Sequence, residues 1–481
     1  MESATLTQAP SGSTSLSKVF TVFAIFLFLF YVAVSQRWSP VVYMLIMISF
    51  IVSLYNYELN FAFLVFWIHV AAMLHHQWDV YAVKARWIFL FPFVIRTIMG
   101  SIPGVVKGKR VGYGKFQVGL LLFAAVVGLS TVDAYMQPLS IYRVVSVWWL
   151  LIALGVVIWR YMDNREKIIA WLQIAVIIST GFLFISLFVQ EWFSPMLSGS
   201  FRFKGVYFNP NTLGVALIFH LPVSFFLYLY AKRRPDMKGF WELFFLGAFV
   251  LGVLSLLLSG SRASVGGVVI GGMAAFTLYY RKRIMLLGLI VMLLMGAFFS
   301  IFEEVIQSRF FQRVLLREES IETFSGRTEI WDVSMELFRE KPFLGYGFGT
   351  SDFVISTGGN PELVDYSKRF GLHAHNSIVR ALLEMGLLGA SFIIVLAVVL
   401  PFNFLKLASR VQSEELLLLL LTLFAVFVAG LANSFFESWL ESVGSVTCFL
   451  YWLSVTLIFR IDFTPDDFVE PEDKPKVQRS F

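Results

Sequence analysis

Long apolar runs separated by short polar stretches form the main pattern of the chain. Fourteen of these runs are about long enough to cross a bilayer as helices. They lie near residues 19–35, 40–55, 59–75, 86–100, 116–133, 140–160, 168–189, 213–231, 241–260, 263–280, 284–302, 377–400, 414–432 and 439–460. The 86–100 run is the weakest, because it is short and contains Pro92 and Arg96. The pattern predicts an all-α polytopic membrane protein with about 12–14 transmembrane helices.

The composition supports this fold class and narrows the chemistry. Of the 481 residues, 58% are hydrophobic and only 15% are charged, which excludes an ordinary soluble protein. The single cysteine, Cys448, lies in an apolar run, so the chain has neither an intrachain disulfide nor a cysteine metal cluster. The zinc signature His-Glu-x-x-His does not occur either. We therefore predict no catalytic metal and no other cofactor.

Basic residues in the loops predict the orientation of the helices. If both termini are cytoplasmic, the cytoplasmic loops hold 17 lysines and arginines and the opposite loops hold 6. Because the positive charge is explained by topology, we predict no nucleic-acid partner. The domains expected are a cytoplasmic tail (1–17), a transmembrane domain (18–302), a periplasmic loop (303–375), C-terminal transmembrane helices (376–460) and a disordered cytoplasmic tail (461–481).

The 303–375 loop contains helical patterns of its own. In Thr328–Glu340, apolar residues recur on one helical face, and Lys341-Pro342 ends the pattern. The preceding segment, 303–322, alternates charged and apolar residues like a helix lying on the membrane surface. Long ordered loops are usually functional. We therefore predict a helical cap over the membrane domain.

Candidate chemistry gathers in four segments that the predicted topology puts at one face of the membrane. These are Phe201–Gly214, Ser259–Ser264, Gly326–Trp331 and Gly371–Gly389. Arg262 lies in a predicted turn of about four residues, where it either binds an anion or contacts lipid headgroups. For Arg202 and Lys204, a solvated loop is favoured over an anion site, and Asn211 is a candidate cap of the next helix.

The Gly371–Gly389 segment has the pattern of a catalytic base at a helix start. Asn376 or Ser377 can cap the helix, so His375 would lie at its positive end, where the imidazole is biased toward the neutral form that accepts a proton. Glu384 follows Arg380 by four residues, and a structural ion pair is the favoured interpretation. Glu437 and Glu441 are open to three interpretations: they orient His375, position an acceptor, or cap the final helix. His220 is favoured as a hydrogen-bonded core histidine.

Several arginines beside one neutral imidazole suit group transfer from a pyrophosphate-linked donor. The arginines would stabilise the diphosphate leaving group, and the imidazole would take the proton of an incoming hydroxyl. A membrane setting fits a donor carried on a long-chain lipid. A transporter, with Arg96, His220 and Glu384 along its path, is the less favoured alternative, because the sequence has no internal repeat.

The motifs of these segments resemble the bacterial O-antigen ligase and O-antigen polymerase superfamily. The resemblance covers about residues 200–400 and rests on Ser259-Gly-Ser-Arg-Ala-Ser264, Gly326-Arg-Thr-Glu-Ile-Trp331, Lys341-Pro-Phe-Leu-Gly-Tyr-Gly-Phe-Gly349, His373-Ala-His-Asn376 and Glu384-Met-Gly-Leu-Leu-Gly389. The segment Arg202-Phe-Lys-Gly205 with Asn209-Pro-Asn211 is also similar to the family's loop.

The resemblance implies a metal-independent, inverting glycosyltransferase with a glycosyltransferase-C-like architecture in the bacterial inner membrane. Its donor would be an undecaprenyl-diphosphate-linked glycan at the periplasmic face. His375 would be the base, Arg202 and Arg262 would bind the diphosphate, and Arg327 would be a third diphosphate ligand. Supporting roles fall to Lys204, Asn211, His373, Asn376, Arg380 and Glu384.

Two members of this superfamily remain as alternatives. The Gly-Arg-Thr-Glu-Ile-Trp segment favours a polymerase of O-antigen or exopolysaccharide, which would extend a glycan acceptor. The rival is a ligase that moves a finished glycan to lipid A core or another acceptor. In either case membrane lipids are partners, and a chain-length regulator is a further candidate partner.

Overall fold

The computed structural model describes residues 16–36, 38–73, 88–93, 95, 114–188, 193–195, 201–280, 327–358 and 374–463. Several sequence predictions fall wholly or partly outside these residues. They concern His373, the side chain of Arg327, the 284–302 run, most of the 86–100 run, the 303–322 surface helix and nearly all of both terminal tails.

Helices form almost all of the described structure. In its first half they are α1 (Leu16–Ser35), α2 (Ser39–Tyr55), α3 (Tyr57–Ala71), α4 (Lys115–Leu129), α5 (Gln137–Ile152) and α6 (Arg165–Ser186). A π-helical turn (Ala153–Ile158) and a short α-turn (Trp159–Tyr161) extend α5. The second half contains α7 (Pro210–Arg233), α8 (Phe240–Ser259), α9 (Arg262–Tyr279), α10 (Arg327–Glu340), α11 (Ser351–Gly358), α12 (Ser377–Arg410), α13 (Glu414–Ser434) and α14 (Cys448–Phe463).

Within the described residues, seven helices are long and apolar enough to cross a membrane. They are α5 with its π-helical turn, α6, α7, α8, α9, α12 and α13, and further apolar helices of 10–17 residues accompany them. The predicted all-α, multi-pass membrane fold is therefore confirmed. The ends of two predicted helices differ: the 377–400 run continues to Arg410, whereas the 439–460 run becomes helical only at Cys448. Residues 439 and 440 instead donate their amides to the Ser377 hydroxyl, which holds them outside a helix.

Small residues let the helices of the bundle pack closely against one another. Gly267 and Gly271 form a Gly-x-x-x-Gly pattern on α9 that lies against Ala425 and Ala429 of α13, and a Cβ at Gly267 would come within 2.6 Å of the Ala429 carbonyl oxygen. Such small-residue stripes let membrane helices approach closely. His220 lies in this core, with Nδ1 2.7 Å from the Ser179 hydroxyl and Nε2 3.0 Å from the Ala248 carbonyl, as the sequence predicted.

A glycine breaks α12 and lets a loop enter the helix. Gly386 has φ 62° and ψ −161°, a conformation that essentially only glycine adopts. The amides of Leu387 and Leu388, which would normally bond the carbonyls of residues 383 and 384, bond Pro342 (2.8 Å) and Phe343 (3.4 Å) instead. The carbonyls of residues 383 and 384 in turn accept hydrogen bonds from the amides of Tyr346 (2.9 Å) and Gly347 (3.0 Å). The 341–349 loop thus replaces the hydrogen bonds that the break removes.

The same loop ties α10, α11 and α12 to the turn between α4 and α5. The Tyr346 carbonyl accepts a hydrogen bond from the Tyr135 amide at 2.8 Å, and the Ser130 hydroxyl accepts one from the Phe348 amide at 3.2 Å. Lys341 forms an ion pair with Asp133 at 2.5 Å. The predicted helix Thr328–Glu340 is α10, and its apolar face packs beside this loop. These contacts attach the described part of the predicted cap to one end of the membrane bundle.

A small hairpin completes this end of the bundle. Strands β1 (Phe193–Pro195) and β2 (Phe201–Phe203) pair antiparallel, so the segment predicted as a loop begins as a strand. Its continuation binds two helix ends: the Phe208 amide donates to the Ala72 carbonyl at 2.8 Å, and the Val206 amide donates to the Ser186 hydroxyl at 3.1 Å. The hairpin therefore presents Arg202 at the start of α7.

Candidate functional site

A cavity of about 700 Å³ opens at the end of the bundle where α7 and α12 begin. Its walls come from α5, the start of α7, the start of α12 and the 435–447 segment between α13 and α14. Its polar lining includes Arg143, Asn211, His375, Arg380, Glu437 and Glu441. The cavity therefore brings together two of the four segments that the sequence singled out, with residues that it did not.

His375 occupies a constrained turn at the cavity. It is the only described non-glycine residue with positive φ (45°), and its side chain is 31% exposed. Non-glycine residues in such conformations cluster at functional sites. The turn is fixed on both sides, because the Trp331 indole donates to the Ala374 carbonyl (2.7 Å) and the Asn376 side chain accepts the Ile378 amide (2.9 Å). Asn376 is thus the N-cap that the sequence proposed.

A chain of hydrogen bonds runs from a buried arginine to this histidine. Nη2 of Arg202 donates to Oδ1 of Asn211 at 2.9 Å. Nδ2 of Asn211 donates to Oε1 of Glu437, also at 2.9 Å. Oε2 of Glu437 lies 3.4 Å from Nδ1 of His375. The carboxylate thus faces Nδ1, an arrangement that favours a proton there and leaves Nε2 as the acceptor nitrogen of a neutral ring.

The structure corrects two predictions about the 201–214 segment. Arg202 and Lys204 are buried, with relative exposures of 3% and 8%, so the favoured solvated loop is wrong. The arginine is fixed by the Ser259 carbonyl, which accepts from Nε at 2.5 Å. Asn209, not Asn211, caps α7, since its side chain accepts the Thr212 amide at 2.8 Å. Asn211 is thereby left to connect Arg202 with Glu437.

Arg262 is the first residue of α9 and is exposed. The turn before it consists of Gly260 and Ser261, which is shorter than the four residues predicted. Asn433 holds this helix start near the cavity. Its side chain donates to the hydroxyl of Ser264 on α9 at 3.1 Å and accepts a hydrogen bond from the Trp439 indole at 2.7 Å. Trp439 lines the cavity. An arginine at a helix N-terminus adds its charge to the positive end of the helix dipole, and both favour an anion.

Arg380 and Glu384 form the predicted ion pair, with Nε 2.9 Å from Oε1. Glu384 is fully buried and also accepts the Gly349 amide (2.7 Å) and the Ser351 hydroxyl (2.6 Å), so it joins α12 to the start of α11. Arg380 additionally donates to the Ser442 hydroxyl at 2.9 Å. The pair is therefore a structural element that also brings a guanidinium to the cavity wall.

Glu441 differs from the other carboxylates of the site. It is 8% exposed, and neither carboxylate oxygen has a hydrogen bond of normal geometry within the described structure. Burial raises the pKa of its carboxyl to about 8; nearby Glu384 raises it further, while Arg380 and the Ser377 hydroxyl partly oppose the shift. Glu441 therefore carries a proton at neutral pH.

Sequence reasoning missed Arg143 on α5. This residue lines the cavity, and its Nη1 donates to the Gly349 carbonyl. An arginine inside an apolar helix was the available signal, because charged residues in membrane helices usually face a polar interior. Of the predicted diphosphate ligands, Arg202 and Arg262 lie behind or beside the cavity wall, whereas the side chain of Arg327 lies outside the described residues. His373, predicted as a supporting residue, also lies outside them.

Comparison with known proteins gives matches over the central part of the chain. Residues 247–394 match the family model whose description is O-antigen ligase. A Rickettsia conorii protein that carries the name of a polysaccharide ligase is 27% identical over 172 residues, which are 35% of this chain and 40% of that protein. Its Rickettsia typhi counterpart is 31% identical over 160 residues, which are 31% of this chain and 38% of that protein.

A Rhizobium meliloti protein named as an exopolysaccharide production protein is 28% identical over 241 residues, which are 48% of this chain and 53% of that protein. The chain therefore spans about two fifths to one half of the length of these relatives. The family match includes the segments around Arg262, Trp331, His375 and Glu384, but not the one around Arg202. The resemblance predicted from the motifs is confirmed for this central region.

Proposed function

Because residues 247–394 of this multi-pass membrane protein are similar to the O-antigen ligase superfamily, we propose that it transfers a glycan from a lipid-diphosphate-linked donor. The donor lipid proposed is undecaprenyl diphosphate. The observation that carries the proposal is the hydrogen-bond chain from Arg202 through Asn211 and Glu437 to His375, at the wall of a cavity of about 700 Å³. These hydrogen bonds connect Arg202, a candidate ligand of the anionic diphosphate, with His375, a candidate base.

In the proposed reaction, an acceptor hydroxyl oxygen attacks the anomeric carbon of the donor sugar. Nε2 of His375 takes the hydroxyl proton, while Glu437 orients the ring and stabilises the imidazolium that forms. The bond between the anomeric carbon and the diphosphate oxygen breaks, and its electron pair stays on the diphosphate. Arg202 and Arg262, with Arg327 as a third candidate, stabilise that charge. Attack from the face opposite the leaving group inverts the anomeric centre, and no step uses a metal ion.

Between the two classes of transfer, we propose polymerisation of lipid-linked repeat units first. It is supported by the Gly326–Trp331 segment, whose Trp331 fixes the His375 turn, and by the relative named for exopolysaccharide production, which aligns with 48% of this chain. The second candidate is ligation to lipid A core or another acceptor. It is supported by the description of the family model and the names of the Rickettsia relatives.

One incubation separates these candidates. Purified protein in lipid nanodiscs is given lipid-linked repeat units alone, and products are sized by mass spectrometry. A polymerase lengthens the glycan without a further acceptor, whereas a ligase forms product only after lipid A core is added. Release of no undecaprenyl diphosphate under either condition, with protein that remains folded, would contradict both. The same reaction in EDTA is expected to proceed at an unchanged rate.

We also propose that the protein lies in the bacterial inner membrane with the cavity at the periplasmic face. The lysine and arginine counts of the loops support this orientation. In a Cys448→Ser background, Ser356→Cys on α11 should react with a membrane-impermeant thiol reagent applied from the periplasm. Lys238→Cys, in the exposed α7–α8 connection, is the matched control and should react only after the membrane is disrupted. The reverse labelling pattern would overturn the orientation.

A further inference from the structure

Glu441 is a polar group of the cavity that the proposed reaction does not use. It belongs to the 435–447 segment, which also supplies Glu437, and it is one of the residues that line the cavity. The side chain is more than nine-tenths buried, yet both oxygens lack a hydrogen bond of normal geometry among the described residues. A buried carboxyl without a partner is destabilising, and such groups in membrane proteins are commonly functional.

The groups around Glu441 are already engaged with other partners. From α12, Arg380 donates to Glu384 and to Ser442, and Glu384 is in turn saturated by donors from the start of α11. The Ser377 hydroxyl accepts the amides of residues 439 and 440. From α14, the Cys448 thiol donates to the Leu440 carbonyl at 3.2 Å. Among the described residues, these contacts leave the carboxyl of Glu441 with unused hydrogen-bonding capacity.

We propose that the carboxyl group of Glu441 binds a hydroxyl of the glycan in the cavity and so positions the sugar for transfer. This inference rests on the proposed function. Since the group is protonated at neutral pH, its O–H can donate and its carbonyl oxygen can accept, which matches the paired donor and acceptor character of sugar hydroxyls. Glu437 and Glu441 then have separate tasks on one segment: the first orients the base, and the second orients the glycan.

The test compares a ligand with sugar and the same ligand without it. Full-length protein in nanodiscs is titrated with undecaprenyl diphosphate and with the lipid-linked oligosaccharide of the source bacterium. In Glu441→Ala, affinity for the oligosaccharide lipid should fall about tenfold, as expected for one lost hydrogen bond. Affinity for undecaprenyl diphosphate should stay within twofold of the wild type. Glu441→Gln, which keeps a donor and an acceptor, should retain most of the affinity for both.

Transfer kinetics provide a second readout that does not depend on the alanine variant. In wild-type protein, KM for the oligosaccharide substrates should rise above about pH 8, where Glu441 loses its proton. In Glu441→Gln this rise should be absent, with kcat similar in both proteins. Glu242→Gln, at the start of α8 and away from the cavity, is the matched control and should follow the wild-type profile.

The outcomes separate this inference from the proposed function. If Glu441→Ala binds the oligosaccharide lipid as wild type does, or weakens both ligands equally, the glycan contact is wrong while the transfer reaction stands. If wild-type protein neither binds undecaprenyl diphosphate nor transfers the glycan, the proposed function itself fails.

Discussion

The two ends of the membrane bundle are both rich in charge, but they use it in different ways. At the end opposite the cavity, Arg233 pairs with Glu414 at 2.7 Å, and both side chains are more than 40% exposed. Arg234 and Arg165 approach Glu415 in the same region. The Arg233–Glu414 pair is an ordinary exposed ion pair at helix ends, where water supplies much of the solvation and the pair contributes little to stability.

At the cavity end, several charged groups are withdrawn from water and joined by specific hydrogen bonds. Arg202 and Glu384 are almost fully buried, and the Asn211 side chain connects a guanidinium to a carboxylate. Burying charge is costly, and the opposite end does so too: Arg460 is 1% exposed, and its Nε donates to the Trp159 carbonyl at 2.7 Å. At the cavity end, in contrast, the buried guanidinium of Arg202 is connected through hydrogen bonds to a histidine at the cavity wall, which makes these groups candidates for a ligand or a reaction. The comparison teaches that the connection of buried charge to a cavity, rather than the amount of charge or its burial alone, distinguishes the candidate site.

The largest expected effect is at the histidine of the cavity end. His375→Ala should lower turnover by about 10²–10⁴-fold, because the acceptor hydroxyl loses its general base. Binding of undecaprenyl diphosphate should survive, since the arginines remain. His373→Ala is the comparison and should cost less. If His373→Ala lowers turnover more, the two histidines exchange roles, and if His375→Ala abolishes binding, that residue is a diphosphate ligand.

Two exposed arginines, one at each end of the bundle, test whether a position near the cavity matters for transfer. Arg262→Ala should lower transfer by about 10²–10³-fold, as removal of a donor to a developing anion does elsewhere. Arg262→Lys should recover little, because an ammonium cannot make a bidentate phosphate contact. Arg233→Ala removes one exposed ion pair and should leave the rate unchanged. If both alanine variants fold and change turnover equally, the cavity end is no more important for transfer than the opposite end.

A smaller effect, on stability, is expected at the break in α12. Gly386→Ala forces a side chain into a backbone conformation that costs about 1–3 kcal/mol and meets the 343–344 backbone. The melting temperature in detergent should therefore fall by several degrees. Gly266→Ala on α9 is the control, since a Cβ there has no neighbour within 4 Å. A Gly386→Ala protein with an unchanged melting temperature would show that the break tolerates an ordinary residue.

A pH-dependent difference in stability is expected at Glu441. Its folded-state pKa of about 8 lies above the ordinary value of 4.5, so the folded protein binds more protons than the unfolded chain between these pH values. Stability from this group is therefore present below about pH 4.5 and is lost as pH rises through 8. Relative to wild type, Glu441→Gln should gain melting temperature from pH 5 to 8.5. A constant offset across that range would mean that Glu441 is ionised throughout.

Side-chain patterns predicted those parts of the structure that depend on local rules. The apolar runs marked the helices, the Asn376 cap followed from its position before a helix, and the spacing of Arg380 and Glu384 predicted their ion pair. The loop entering α12 was not predictable in this way. Its contacts are between backbone amides and carbonyls about 40 residues apart, and such bonds leave no periodic pattern in the sequence.

The candidate site was predicted in its residue types but not in its connections. The sequence pointed to Arg202, Arg262 and His375, yet it favoured a solvated Arg202 and left two roles open for Glu437. Which residue bridges two distant segments depends on how the helices pack, and the sequence of each segment alone does not contain that information. Arg143 was missed for the same reason, since its partner Gly349 lies 206 residues away.

The break in α12 has a mechanical consequence for His375. If the 341–349 loop detached, the amides of Leu387 and Leu388 could bond the carbonyls of residues 383 and 384 again, and the break in α12 at Gly386 would close. The first turns of α12 would then swing and carry the His375 turn with them. Amide hydrogen exchange at residues 346, 347, 387 and 388 should therefore report a single opening event, because the same docking protects all four.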